Sequence, residues 1–239
     1  MQSLKNANIV VIGGSSGVGL ETARLALDAG AQVTITGRDE SRLESARAGL
    51  GHDVKAWRAD ATDETSMAEL FETIGEIDHV AVLAGVQPVS PITELTVLQL
   101  RDAMEQRVWA AAVACRIGAP RMRPGGSFTF CSGVSSVRPR RDRSFGAAAT
   151  AALESFARAA AVDLAPLRVN VLCPGPIDTP VLDRAYGADK ARVVASIAER
   201  VPLGRIAHPA EIADAILFLM CNTYVTGTTL VVDGGVLLV

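Results

Sequence analysis

The chain has 239 residues, of which 49% are hydrophobic, so it can bury a sizeable core. Its formal net charge of −3 argues against general nucleic-acid binding, which requires a basic surface. No apolar run approaches the roughly 20 residues of a membrane-spanning helix, and the segment MQSLKNANIV has no signal-peptide pattern, so we expect a cytoplasmic protein that binds neither nucleic acid nor a membrane.

Strand and helix patterns alternate along the chain. Strand patterns occupy ANIVVIGG, AQVTITG, DVKAWRAD, DHVAVLAG, GGSFTFCSG, RVNVLCPG and GTTLVVDGG. Helical patterns lie between them: GVGLETARLALDAG, DESRLESARAGL, DETSMAELFETIG, a long helix from about Thr96 to Ile117, one over residues 144–165, and HPAEIADAILFLM. The alternation predicts an α/β fold, a Rossmann-type doubly wound parallel sheet flanked by helices on both faces. No linker or repeat interrupts it, so we expect a single domain over residues 1–239.

The cysteines and histidines do not indicate a metal site. His52, His79 and His208 have no cysteine or second histidine at ligand spacing. His208 stands just before a predicted helix, where capping of that helix or simple exposure is expected. The cysteines show no C-x-x-C spacing, and we interpret them as reduced, space-filling thiols. They are Cys115, Cys131, Cys173 and Cys221.

Three glycines, Gly13, Gly17 and Gly19, lie between the first predicted strand and its helix. Glycine permits a tight turn and a close approach of the backbone to a phosphate, and the free N–H groups of a helix N-terminus favour an anion. Because the pattern follows a strand, opens a helix and begins a βαβ unit, it indicates a nucleotide-binding loop.

The spacing G-x-x-x-G-x-G resembles the classical short-chain dehydrogenase/reductase family, whose motif is T-G-x-x-x-G-x-G, although Ile12 stands where threonine is usual. Asp60 in RADAT matches the family's adenine-contacting aspartate, RVNVLCPGPIDTP its sixth strand and nicotinamide loop, and VTGTTLVVDGG its C-terminal strand. The resemblance therefore covers nearly the whole chain and implies a dinucleotide cofactor and a small-molecule substrate. The implied cofactor-binding residues are Gly13, Ser15, Ser16, Gly17, Val18, Gly19, Arg38, Asp60, Ala61, Ala84, Gly85, Pro174, Gly175, Ile177 and Thr179.

The end of the second predicted strand indicates the cofactor. NAD-preferring members of the family carry an acidic residue there for the ribose 2′-hydroxyl, whereas this chain has Gly37 followed by Arg38. Without that carboxylate a 2′-phosphate is not repelled, and Arg38 and Ser15 can both bond to it. We therefore expect NADP(H), with NAD(H) less favoured. The alternative is that Arg38 is a solvated loop arginine.

The resemblance is to a divergent member that lacks the Ser-Tyr-Lys catalytic residues. The family's active helix carries Y-x-x-x-K, in which the tyrosine protonates the carbonyl oxygen and the lysine lowers the tyrosine's pKa. Alignment on DLAP, residues 163–166, puts Gly146 and Thr150 at these positions. No local shift recovers the pair, because residues 56–185 contain no tyrosine or lysine. The catalytic serine aligns with Gly133 and the asparagine with Arg107.

Three residues are candidates to replace the missing acid. Ser132 is next to the lost serine, and Arg107 could stabilise an oxyanion, although an arginine is a poor proton donor. Tyr186 lies in an expected substrate-covering segment around residues 180–205 and could reach the pocket from there.

An arginine-rich loop, VRPRRDRS, follows the fifth predicted strand. It could hold an anionic substrate such as a carboxylate or phosphate, or it could be an exposed loop partly paired with Asp142. Its arginines are Arg138, Arg140, Arg141 and Arg143.

The residue 144–165 helix is rich in alanine, which suits close packing between helices. The family's corresponding helices pair between subunits, so we expect a dimer or tetramer. Three functions remain open: an NADP(H)-dependent oxidoreductase with an unusual acid, acting for example on an activated or anionic carbonyl or an imine; an inactive NADP(H)-binding sensor or partner subunit; and a scaffold without nucleotide, which the intact glycines and Asp60 disfavour.

Overall fold

A computed structural model describes residues 3–51, 53–85 and 88–239; His52 lies outside the described residues. It contains a seven-stranded sheet with the order β3-β2-β1-β4-β5-β6-β7, in which every neighbouring pair is parallel. The strands are β1 (Asn8–Ile12), β2 (Gln32–Gly37), β3 (Lys55–Arg58), β4 (Ile77–Val82), β5 (Met122–Cys131), β6 (Arg168–Pro174) and β7 (Thr229–Val232). The predicted fold class is confirmed.

Helices connect the strands and cover both faces of the sheet. They are α1 (Gly17–Asp28), α2 (Glu40–Leu50), α3 (Glu64–Ile74), α4 (Val97–Met104), α5 (Ala110–Gly118), α6 (Ser144–Asp163), α7 (Pro180–Tyr186), α8 (Lys190–Ala198) and α9 (Pro209–Cys221). The long helix expected from Thr96 to Ile117 consists of α4 and α5 joined through a π-helical turn, Glu105–Trp109, which the sequence did not predict. Thr96 caps its start by accepting from the backbone N–H of Gln99.

Two apolar layers hold this arrangement together, because successive side chains of a strand point to opposite faces. In β1, Val10 and Ile12 belong to the layer that includes Phe71, Phe128 and Leu153, below α3, α5 and α6. Ile9 and Val11 belong to the opposite layer, with Ala23 of α1 and Ile212 of α9. Since both faces are covered, the strands read as continuous apolar runs.

The order of the strands switches between β1 and β4: β2 and β3 lie on one side of β1, and β4 to β7 lie on its other side. In open α/β sheets, ligands bind beyond the carboxyl ends of the strands at such a switch point. This edge carries the loops that follow β1, β2, β3, β4, β5 and β6, and the predicted cofactor-binding residues lie in these loops or at the start of α1.

Several smaller predictions can be compared with the structure. His208 caps α9: its Nδ1 accepts from the backbone N–H of Ala210, and Glu211 accepts from the N–H of His208 in return. All four cysteines are free thiols. Within the described chain, no three metal-ligating side chains cluster, and no helix is long and apolar enough to cross a membrane.

Candidate functional site

The loop between β1 and α1 is packed against the neighbouring strands. The backbone N–H groups of Gly13 and Gly14 both donate to the carbonyl oxygen of Thr36 in β2, at 3.1 and 3.0 Å. A Cβ at Gly19 would lie 2.1 Å from the carbonyl oxygen of Gly13, so no side chain fits there. Gly13 itself has a φ of +87°, and its Cβ would lie 2.7 Å from the backbone nitrogen of Ala84. These two positions therefore require glycine.

Predicted cofactor residues from distant parts of the chain meet at this loop. A Cβ at Gly17 would lie 3.4 Å from Cγ2 of Thr179, which follows β6. Ser16 is the N-cap residue of α1 and makes no side-chain cap bond, and Val18 is in the first turn of that helix. The N-terminus of α1 thus faces the same crevice as the loop beyond β6, and its first N–H groups are suited to a phosphate.

The loops after β4 and β6 form the other walls of the crevice. A Cβ at Gly85 would lie 2.9 Å from a carbonyl oxygen of the π-helical turn, so the backbones approach closely there. Pro174 ends β6, and the N–H of Gly175 donates to the carbonyl oxygen of Val232 in β7 at 3.0 Å. Ile177 forms an isolated parallel bridge beyond it. The backbone of the predicted nicotinamide loop is therefore fixed by the sheet.

Four residues meet at the end of β2, and we call them the β2 corner: Ser15, Gly37, Arg38 and Arg58. A Cβ at Gly37 would lie 3.1 Å from Oγ of Ser15, so the missing side chain leaves room beside that hydroxyl. Arg58 is paired with Gly37 in the sheet, and its Nε donates to the carbonyl oxygen of Arg38 at 3.2 Å. Sequence reasoning missed Arg58, because only the register of β3 on β2 brings it beside Gly37.

The acidic residue that follows Arg38 is occupied elsewhere. Asp39 caps α2, where it accepts from the N–H of Arg42, the hydroxyl of Ser41 and the guanidinium of Arg42. These bonds lower the pKa of Asp39 to about 2, the backbone bond most of all, because each stabilises the ionised form.

Asp60, the predicted adenine contact, lies in the loop after β3 at the same edge. One carboxylate oxygen accepts from the backbone N–H and from the hydroxyl of Thr62, at 3.0 and 2.8 Å. The backbone N–H of Asp60 donates to Oγ of Ser66, and the next residue, Ala61, is buried. These bonds form a compact turn that fixes the direction of the Asp60 side chain.

A cleft of about 1640 Å³ opens beyond β5 and β6. It is lined by Ser132 and Gly133 after β5, by Gly175 after β6, and by residues of α7 and α8 that include Tyr186. Arginines line it as well. Arg138, Arg140, Arg141 and Arg143 belong to the loop between β5 and α6, and Arg200, which sequence reasoning did not single out, follows α8. We call this space the arginine cleft.

The positions aligned with the family's tyrosine, lysine and serine carry little chemistry. Gly146 and Thr150 are buried one turn apart on α6. Thr150 is 2% exposed, and its hydroxyl lies 3.0 and 2.9 Å from the carbonyl oxygens of Gly146 and Ala147, so it bonds back to its own helix. A Cβ at Gly133 would meet no atom within 4 Å.

Arg107 lies in the π-helical turn and points toward the end of β5. Its Nη1 donates to the carbonyl oxygen of Cys131 at 2.5 Å. Its Nε is buried without a partner among the described residues, and burial lowers the pKa of this guanidinium. Arg107 is thus a partly buried cation anchored one residue before Ser132.

Ser132 is 4% exposed, and its hydroxyl is 2.7 Å from Oε1 of Glu154 on α6. Ser136 donates to the same oxygen at 2.8 Å. Glu154 is 8% exposed, so two hydroxyl groups stabilise a largely buried carboxylate below the cleft. Sequence reasoning did not select Glu154, although it is the first acidic residue in an otherwise alanine-rich helix.

The chain matches the family model for enoyl-(acyl carrier protein) reductase over residues 12–237. It therefore belongs to the short-chain dehydrogenase/reductase family of oxidoreductases, as its glycine loop and sheet order indicate.

Three relatives span essentially the same length. A cis-4-hydroxycyclohexanecarboxylate dehydrogenase from Sinomonas cyclohexanicum is 36% identical over 240 residues, 95% of this chain and 94% of its own. The reductase/Diels-Alderase MalC from Malbranchea aurantiaca superimposes with a TM-score of 0.93 at 30% identity, covering 100% of this chain and 99% of MalC. A short-chain oxidoreductase from Pseudomonas aeruginosa PAO1, with NADPH bound and an atypical catalytic center, superimposes with a TM-score of 0.92 at 30% identity over 98% of both chains.

Proposed function

We propose that this protein is an NADP(H)-dependent oxidoreductase whose proton transfer does not use the family's serine, tyrosine and lysine. The β2 corner is the observation that carries the cofactor assignment. It brings the hydroxyl of Ser15 beside Gly37, which contributes no side chain, and places Arg58 against the backbone of the exposed Arg38, so that two arginines lie next to that hydroxyl. Such a group of donors fits a ribose 2′-phosphate.

Asp39 supports the same assignment. It is the carboxylate nearest in sequence to the β2 corner, but the cap of α2 engages it through three donors. A ribose 2′-hydroxyl would have to compete with those bonds, whereas a 2′-phosphate is bound by the neighbouring cations. The NADPH found in the Pseudomonas relative agrees with this preference.

When bound, NADPH supplies a hydride to the substrate carbon. The glycine loop, the N-terminus of α1 and Thr179 would hold the dinucleotide at the switch point, and the Pro174–Thr179 loop would hold its nicotinamide end. The arginine cleft, which Gly175 and Ile177 of that loop also line, would then receive the substrate. Residues of α7 and α8 line one side of this cleft and would limit the access of water to a bound substrate.

The proton side of the reaction is where this chain departs from its family. Hydride addition to a ketone leaves an alkoxide, and Gly133, Gly146 and the back-bonded Thr150 offer it no proton. Arg107 can stabilise a developing negative charge, and the hydroxyl of Ser132 can exchange its bond to Glu154 for one to substrate. Tyr186 remains a third candidate donor. We expect substrates that need little acid catalysis, such as imines and activated or anionic carbonyls.

A second candidate function is NADP(H) binding without turnover, as a sensor or partner subunit. The absence of a proton donor at Gly133, Gly146 and Thr150 favours this second function, because a site that only binds the nucleotide needs no proton donor. The two functions differ in one observable: only the oxidoreductase consumes NADPH when an acceptor is added.

The test of the cofactor assignment is a titration of NADPH and NADH against the wild type and Arg38→Ala. A charge-assisted contact contributes about 1.5–3 kcal/mol, so Arg38→Ala should weaken NADPH binding by roughly tenfold or more while NADH binding changes little. Gly37→Asp should reverse the preference by repelling the 2′-phosphate. Gly37→Asn is its control, since it fills the same space beside Ser15 without the charge.

Equal affinity of the wild type for the two nucleotides would contradict the assignment. An Arg38→Ala variant with an unchanged preference would remove Arg38 from the explanation and leave Arg58 and Ser15 as the phosphate ligands to be tested.

A further inference from the structure

We infer that the arginine cleft binds an anionic group of the substrate, a carboxylate or a phosphate, carried on an apolar body. The inference rests on the proposed function, because it assigns a substrate class to that same site. Four observations carry it: the convergence of the arginines, the absence of ion pairs to them in the described chain, the apolar side chains of the cleft, and the presence of Ser132 in the lining of the same cleft.

The cleft arginines converge from two separate parts of the chain. Four belong to the loop between β5 and α6, and Arg200 follows α8. Arg138 is anchored, since its Nη1 donates to the carbonyl oxygen of Val236 at 2.5 Å. The pKa of Arg140 is lowered by partial burial, and then by the positive charges of Arg200, Arg143 and Arg138. The positive charges of these four arginines therefore act on one another within the cleft that they line.

The positive charge is not compensated within the described chain. Other arginines pair with carboxylates, as Arg42 does with Asp39 and Arg205 with Glu211. Across residues 3–51, 53–85 and 88–239, no ion pair joins any of the five cleft arginines to a carboxylate, that of Asp142 included. Glu199 is the one acidic side chain among the described residues that line the cleft, against five arginines, so an excess of positively charged side chains remains.

This excess has a direct consequence for ligand binding. Like charges held at the mouth of a cleft raise the local concentration of anions and favour their binding. The chain as a whole carries a net charge of −3, so the positive potential is local to this face. Guanidinium groups bind both carboxylate and phosphate through paired hydrogen bonds, and this chemistry is common to the two ligand classes.

Several of the other side chains that line the cleft are apolar. Leu182 of α7, with Val193 and Ile197 of α8, lines it together with Val89. Two of the candidate residues for proton transfer, Ser132 and Tyr186, line the same cleft. A ligand that fits these walls has a hydrocarbon body, an anionic end among the arginines and a reactive carbon near Ser132.

The test measures binding rather than turnover. The probes are cis-4-hydroxycyclohexanecarboxylate, its neutral methyl ester and inorganic phosphate, titrated by calorimetry into the protein saturated with NADP⁺. The variant is Arg140→Gln combined with Arg143→Gln. Arg121→Gln is the matched control, because it removes an exposed charge from a site outside the cleft.

The wild type should bind the carboxylate at least about tenfold more tightly than its ester, and added salt should reduce the difference. The double variant should lose this preference while its affinity for NADP⁺ stays at the wild-type value. The Arg121→Gln control should keep both the wild-type preference for the carboxylate and the wild-type affinity for NADP⁺. Binding of phosphate but not of the carboxylate also supports the anion site and assigns it to phosphate esters.

The inference is overturned if neither anion binds, if the carboxylate and its ester bind equally, or if the double variant keeps the wild-type preference. A double variant that instead loses NADP⁺ affinity would make these arginines cofactor ligands, which overturns the inference and leaves the proposed function intact. If the wild type binds no NADP⁺, the proposed function fails, and the same comparison of carboxylate with ester on the free protein decides the anion site separately.

Discussion

Replacing Arg107 by methionine separates a catalytic role from a structural one. The side chain is a partly buried cation that makes one short bond, to the carbonyl oxygen of Cys131, and its buried Nε has no partner among the described residues. Removing it loses a charge-assisted hydrogen bond of about 1.5–3 kcal/mol. It also relieves the desolvation of a partly buried charge that has no counter-ion among the described residues. Because the two effects oppose each other, we expect Arg107→Met to change the free energy of unfolding by no more than about 1 kcal/mol.

Activity, by contrast, should fall. If the guanidinium stabilises a developing oxyanion, its loss should lower kcat by about 10²–10³-fold, with NADPH affinity unchanged. Urea unfolding and the steady-state rate with the fastest wild-type acceptor measure the two effects, and Arg107→Lys is the control that keeps the charge. A variant destabilised by about 3 kcal/mol or more with an unchanged kcat would show that Arg107 only supports the fold, and would refute this reasoning.

Two further predictions concern the folded state. The buried His79 has a pKa lowered to about 4, by burial first and then by the charge of Arg168, so below about pH 6.5 the unfolded chain binds a proton that the folded protein does not. The His79 contribution should therefore lower the free energy of unfolding by about 3 kcal/mol between pH 6.5 and 4. Urea melts of His79→Gln should show a free energy of unfolding that falls less steeply with decreasing pH, and the same pH dependence in the variant and the wild type would exclude His79 as the cause. Ala148 is exposed on α6. If this face joins subunits, Ala148→Glu should shift a dimer or tetramer toward the mass of a single 25.0 kDa chain, measured by light scattering. A wild-type protein that is monomeric at micromolar concentration would contradict the expected assembly.

The fold could be predicted from the sequence because strand and helix periodicities alternate cleanly, and because the glycines after β1 have a backbone requirement that the structure bears out at Gly13 and Gly19. Local chemistry was also predictable: His208 stands directly before α9 and caps it. Both kinds of feature depend on residues that are close in sequence.

Features that depend on packing between distant segments were not predictable in the same way. Arg58 reaches the β2 corner only through the register of β3 on β2, and Arg200 reaches the arginine cleft through the placement of α8. Glu154 meets Ser132 across the space between α6 and β5. The π-helical turn around Arg107 has no sequence pattern that distinguishes it from an ordinary helix.

The most direct test of the central claim is the steady-state oxidation of NADPH by the wild-type protein with three acceptors: a plain ketone such as cyclohexanone, a cyclic imine, and the oxo-acid 4-oxocyclohexanecarboxylate. Because general-acid catalysis contributes about 10²–10⁴-fold, the account predicts very slow turnover of the plain ketone and faster turnover of the imine or the oxo-acid. Turnover of cyclohexanone at a rate ordinary for enzymes, about 1–10³ per second, would contradict it and show that an efficient proton donor is present in the site.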